Sequence, residues 1–137
     1  MKSAVAALIL LATQAPAQSI TTLPAGELDW ARTPEGVAFA QLHGDRFAGE
    51  YMAMVTLPAG LVSPAHRKGA DMFGVVVSGA MTHVPKGADP MGGAALGPGA
   101  FYLIPADLPH ISSCISQSDC VTFLYQPGAF DFRPEGG

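Results

Sequence analysis

Between Gly36 and Gln126 apolar residues come in short runs, each closed by glycine, proline or a small polar cluster. Gly36 to Leu42 stops at the turn Gly44-Asp45, Glu50 to Leu57 at Pro58-Ala59-Gly60, and Phe73 to Val77 at Ser78-Gly79. Met81 to Val84, Ala100 to Ile104, His110 to Cys114 and Cys120 to Gln126 complete the series. Runs of this length, separated by turn residues, read as β-strands, and seven of them within one domain predict an all-β sandwich or barrel. No 3.6-residue periodicity appears beyond the first residues, and no segment repeats. The polar, turn-rich stretch 18–35 reads as an N-terminal arm, 36–132 as the barrel domain and 133–137 as a tail.

The longest stretch without strand character, 85–99 (PKGADPMGGAALGPG), carries five glycines and three prolines. It reads as a surface loop, either a plain connector or a cover for one mouth of the barrel.

Composition sharpens the β reading. The 137 residues fit one domain, and only 13% are charged against 49% hydrophobic, where an average soluble domain has roughly 25% charged residues. Such a deficit suits a chain that hides most of its side chains in a sheet sandwich. The formal charge of −4, with no cluster of Lys or Arg, argues against nucleic acid or an anionic membrane surface as a partner, since both need a basic patch to displace counterions.

The N-terminus is read separately. Met1-Lys2, the apolar run Ala4 to Leu11 and the small residues Ala15-Pro16-Ala17 form the charged, apolar and cleavage regions of a secretory signal over 1–17. The run is shorter than the ~20 residues that span a bilayer. A periplasmic or secreted protein is therefore expected. In an oxidising compartment Cys114 and Cys120, six positions apart, are expected to form a disulfide. Its small ring contributes about 2 kcal/mol in the loop-entropy model.

Two segments carry candidate chemistry. In the first, Gly60 is followed after five residues by His66, then by Lys68 on the same face of an extended chain, and Gly79 closes the next run. In the second, Gly99 is followed after five residues by Pro105, and His110 comes five further on. Together they resemble the two signature motifs of the cupin superfamily, with Gly60, His66 and Gly79 matching the first and Gly99, Pro105 and His110 the second. The chain is also similar to a group of short bacterial cupins, ChrR-like in type, in which a Gly-Asp turn precedes the barrel and a strand like Gly74 to Gly79 follows the first histidine. The resemblance covers roughly 45–126 and implies a cupin jelly-roll barrel with a site in its interior.

In that family three histidines and a glutamate hold a divalent transition metal: iron, manganese, zinc, copper or nickel. Only His66 and His110 stand at those positions here. Lys68 replaces the second histidine, Met72 the glutamate, Asp107 the glycine of the second motif and Cys114 its asparagine. Asp71, one residue before the glutamate position, would complete a two-histidine, one-carboxylate set suited to iron if a bulge turned it inward. Otherwise it is a solvent-facing turn residue paired with Arg67 or Lys68. His83 is a further imidazole, read as exposed on its strand rather than as a ligand.

An inward Lys68 changes the chemistry, because an ammonium repels a divalent cation unless it is paired or deprotonated. Two functions follow. One is a metal-dependent cupin enzyme of the oxygenase or isomerase kind, acting on a small-molecule substrate through His66, His110 and Asp71. The other is a metal-free binding or sensing cupin whose ligand meets Lys68, Met72, Tyr102 and Phe123, with Phe73, Phe101 and Tyr125 as further aromatic walls. No nucleophile elbow, phosphate-binding loop, dinucleotide fingerprint or His-Glu-x-x-His motif competes. A homodimer is expected from the resemblance alone.

Overall fold

A computed structural model describes residues 15–136, so positions 1–14 of the expected leader lie outside it. The strands are β1 (Trp30–Arg32), β2 (Ala38–Gly44), β3 (Tyr51–Leu57), β4 (His66–Arg67), β5 (Met72–Ser78), β6 (Met81–Pro85), β7 (Phe101–Ile104), β8 (His110–Cys114), β9 (Cys120–Gln126) and β10 (Arg133–Pro134). The one helical element described is a single 3-10 turn at Ala25–Glu27. All seven expected strands are present, within a residue or two of their expected bounds.

The strands form two antiparallel sheets. The larger runs β1-β2-β3-β9-β5-β7 and the smaller β10-β4-β8-β6, an all-β arrangement that the strand pattern predicts and that agrees with the jelly-roll implied by the resemblance. Alternation is strict in β3 and β9, where every second residue from Tyr51 and from Cys120 is buried. Their inner faces join Met72, Val76, Met81 and Ile104 in the core between the sheets. Burying these side chains is the main stabilising term, at roughly 1.5–3 kcal/mol for each large one.

The arm and the tail belong to the sheets. In the arm, β1 pairs with β2 from Trp30–Ala40 to Arg32–Ala38, and in the tail β10 pairs with β4. Boundaries at 36 and 132 therefore cut across paired strands. Three- and two-residue strands are too short to show alternation, so only pairing reveals them. The 85–99 loop lies over the outer face of β6: Thr82 Oγ1 donates to Pro90 O at 2.7 Å, and Gly93 approaches Val84.

A disulfide joins Cys114 at the end of β8 to Cys120 at the start of β9. It links the two sheets, and both cysteines are fully buried. Gly79 turns the chain from β5 to β6 at φ 79°, a conformation that disfavours a Cβ.

Candidate functional site

The site lies on the inner face of the smaller sheet. His66 of β4 is directly opposite His110 of β8, and their ring centroids are 4.3 Å apart. His83 of β6 pairs with Ser112 of β8, so three adjacent strands each present an imidazole to the interior. The expectation of an exposed His83 is thus corrected. Its parity matches Met81, which is buried in the core, and its ring packs 4.1 Å from that of Tyr102. The period-2 signal that places Met81 inside places His83 inside too, but a polar residue in a short strand is easily assigned to the solvent side.

Local bonds orient each ring. His66 Nδ1 donates to Pro64 O and His110 Nδ1 to Leu108 O, both at 2.9 Å. A carbonyl only accepts, so each Nδ1 carries the hydrogen and each Nε2 of the neutral ring presents a lone pair. His83 Nδ1 lies 2.9 Å from Ser112 Oγ. The Nε2 atoms of His83 and His110 are buried without a hydrogen-bond partner among the described residues. Burial holds His66 and His83 neutral, lowering each pKa from 6.5 to about 4, and lowers His110 as well. Mutual repulsion among the three rings adds to the effect for His66 and His83, and the nearby Lys68 for His66 and His110.

Lys68 is inside, only 6% exposed. Its Nζ donates to Asp131 O at 3.1 Å and sits 4.2 Å above the Phe130 ring. Burial lowers its pKa to about 8, partly offset by Asp131. That carboxylate is engaged elsewhere, accepting from Gly69 N and pairing with Arg133 Nε. At neutral pH Lys68 therefore remains mostly an ammonium, whose closest protein partner is a neutral carbonyl. The expected pairing of Lys68 with Asp71 is not formed.

Asp71 does not join the histidines. Its Oδ1 accepts from Ala106 N at 2.7 Å and fastens the turn before β8. In the same turn Asp107, at the family's glycine position, adopts φ 59°. Aspartate is among the few side chains that tolerate this region. Asp107 also pairs with Arg133, and its N–H donates to Lys68 O at 2.8 Å. The replacement of glycine is thus accommodated at the backbone.

Strand parity corrects the aromatic walls. Phe123 stands between the inward Thr122 and Leu124, so its ring is on the outer face, as are those of Phe73, Phe101 and Tyr125. Tyr102 alone of the expected aromatics points inward. Its hydroxyl bonds Thr122 Oγ1 at 2.8 Å, and its ring occupies the space over Gly74, where a Cβ would stand 2.1 Å from it. The other aromatic walls are Phe39, Phe130 and Phe132, with Phe132 stacked on His66 at 4.2 Å.

These groups line a cavity of about 570 Å³. Val37, Phe39, Val55, Leu57, Met72 and Leu124 give it an apolar body; His66, Lys68, His83, Tyr102, Ser112 and Thr122 give it a polar end. Thr33, Pro34 and Glu35 of the arm also line it, a contribution that no motif signalled.

The four-ligand metal centre implied by the resemblance is tested by the donor set itself. Lys68 and Met72, each 6% exposed, hold the positions of the missing histidine and glutamate with an ammonium and a thioether. Among the described residues no three His, Cys, Asp or Glu side chains converge as an ion-holding group. The residues present do not fit that centre.

Residues 18–129 match the family model described as the ChrR Cupin-like domain. No curated protein matches the chain by sequence. Among solved structures, KdgF from Halomonas sp. is similar at TM-score 0.62 and 21% identity, over 80% of this chain and 94% of its own. The polyketide cyclase RemF from Streptomyces resistomycificus is similar at TM-score 0.67 and 15% identity, over 87% of each chain. An RmlC-like cupin from Shewanella frigidimarina gives 0.61 and 14%, over 80% of this chain and 92% of its own. At these identities the likeness is one of fold.

Proposed function

The chain belongs to the ChrR cupin-like family, and from that premise we propose that it is a small-molecule-binding cupin in which Lys68 has taken over the polar role that a metal plays elsewhere. The observation that carries this reading is a buried ammonium in a largely apolar cavity, hydrogen-bonded to a backbone carbonyl, lying over the Phe130 ring and near neutral imidazoles. Such an end recognises a head group with two kinds of atom. An anionic or strongly accepting oxygen meets Lys68, and a hydroxyl donates to an imidazole Nε2. The apolar remainder of the ligand fills the cavity between Val55, Leu57 and Leu124. A buried acceptor left unpaired costs about 1–3 kcal/mol, so a ligand hydroxyl on His83, which lines the cavity, recovers a real penalty.

The rival reading is a metal-dependent oxygenase or isomerase, and it draws on the same lone pairs. Imidazoles whose Nδ1–H is held by a carbonyl are the usual form of metal-bound histidine. It requires Asp71 to leave Ala106 and Lys68 to give up its proton. A secreted or periplasmic setting belongs to the proposal too, supported by the leader-like 1–17 and by the disulfide.

The test is a calorimetric titration with 6-hydroxy-2-naphthoate, an apolar probe carrying both head-group atoms. Saturable binding is expected, weakened about tenfold or more by Lys68→Met, since a charge-assisted hydrogen bond contributes about 1.5–3 kcal/mol. Absence of saturable binding, or equal affinity for Lys68→Met, overturns the proposal.

A further inference from the structure

All three ion pairs among the described residues involve one short segment, Asp131 to Glu135. Arg133 ties it to Asp107 in the turn before β8, Glu135 ties it to Arg67 of β4, and Arg133 also pairs with Asp131. Backbone pairing adds little there. The strand β10 has two residues, one of them Pro134 without an N–H to donate, and it forms the edge of the smaller sheet. The chain just before it is anchored differently. Gln126 is fully buried and its Nε2 donates to Ala129 O, while Phe130 packs edge-on against Phe39 at 5.2 Å and its N–H donates to Arg46 O. Packing thus fixes the chain as far as Phe130, and beyond it exposed charges do most of the holding.

The same segment closes the polar end of the cavity. Phe132, 42% exposed, lies stacked on His66. Asp131 holds the Lys68 segment at two points: its carbonyl accepts from Lys68 Nζ, and its carboxylate accepts from the N–H of Gly69. We propose that Asp131–Glu135 is a latched wall through which the ligand enters and leaves, hinged beside Phe130. Exposed ion pairs are individually weak and screened by salt, and a segment with few buried contacts opens far more often than the core does. Opening takes the Asp131 carbonyl and the Phe132 ring away from Lys68. The ammonium is then bare and meets an anionic group as it arrives, and reclosure seals that group beneath Phe132. The inference rests on the reading of the cavity as a ligand site and adds its route of access.

Two readouts on the full chain test it. Native-state hydrogen exchange needs no ligand and follows the amides of Gly69 and Glu135, which donate to the Asp131 carboxylate and to Ala65 O. They should exchange at least about tenfold faster than the amides of β3 and β9. In Arg133→Gln, or in about 1 M sodium chloride, they should gain roughly another threefold while β3 and β9 stay unchanged. Stopped-flow mixing with 6-hydroxy-2-naphthoate is the second readout. Because the wall is closed both with and without ligand, loosening it in Arg133→Gln should raise association and dissociation rates together, by about the same factor, and leave Kd unchanged. Gly69 and Glu135 amides as slow as the core, or variant rates equal to those of the wild type, overturn the proposal. Absence of probe binding sinks the ligand-site reading and the access route with it, even where the exchange pattern holds.

Discussion

Acid should destabilise this protein well above the pH at which its carboxylates titrate. His83 is held neutral at a pKa of about 4 in the folded chain, against 6.5 when exposed. As pH falls below 6.5 the unfolded chain takes up a proton that the folded chain refuses. Stability is therefore full above about 6.5, declines between 6.5 and 4, and levels off below. At pH 5 the linkage relation gives a loss of about 2 kcal/mol from His83 alone. His66 and His110 shift in the same direction and add to it. Against a total stability of about 5–15 kcal/mol the loss is large, and at ~4 °C per kcal/mol it lowers Tm by at least about 8 °C between pH 7.5 and 5. Calorimetric melts across this range, for wild type and His83→Gln, measure it. The variant should lose part of the pH slope. A wild-type Tm that is flat or rises toward pH 5, or a variant with the full slope, refutes the placing of His83 in the interior.

Other outcomes follow from single contacts. Gly74→Ala sets a methyl against the Tyr102 ring; overpacking of this kind costs about 1–3 kcal/mol, and the altered Tyr102 environment should appear in the near-ultraviolet circular dichroism spectrum. Asp71→Ala removes the acceptor of Ala106 N and should cost about 1 kcal/mol in thermal stability without changing probe affinity; loss of probe binding would return Asp71 to the site. Replacing Cys114 and Cys120 together by alanine should cost about 2 kcal/mol or more, by the ring entropy and the two small cavities left at fully buried positions, as read from denaturant midpoints with and without reductant.

The seven long strands were legible because apolar runs and turn residues are local signals, and the interior placement of His66, Met72 and His110 followed from the resemblance, whereas the side on which Lys68 lies was left open by the sequence. What escaped depends on pairing or parity. The two-residue β4 and β10 show no alternation of their own and exist through Arg67–Arg133 and His66–Pro134 pairing. Phe123 and His83 lie on the sides opposite to expectation, because residue type alone suggests an inward aromatic ring and an outward imidazole, while period 2 requires the reverse. The partner of Lys68 could not be read either, since Asp131 is distant in sequence and offers its carbonyl rather than its carboxylate.

The central claim is that Lys68 and Met72 have converted a metal position into an organic-ligand site. Transition-metal content measured after reconstitution tests it most directly, on wild type and on the Lys68→His, Met72→Glu variant. The account predicts less than about a tenth of an equivalent in the wild type and close to one in the variant, whose four ligand types suit zinc, copper, iron or nickel. A full equivalent in the wild type, lost in His66→Ala and His110→Ala, would contradict it.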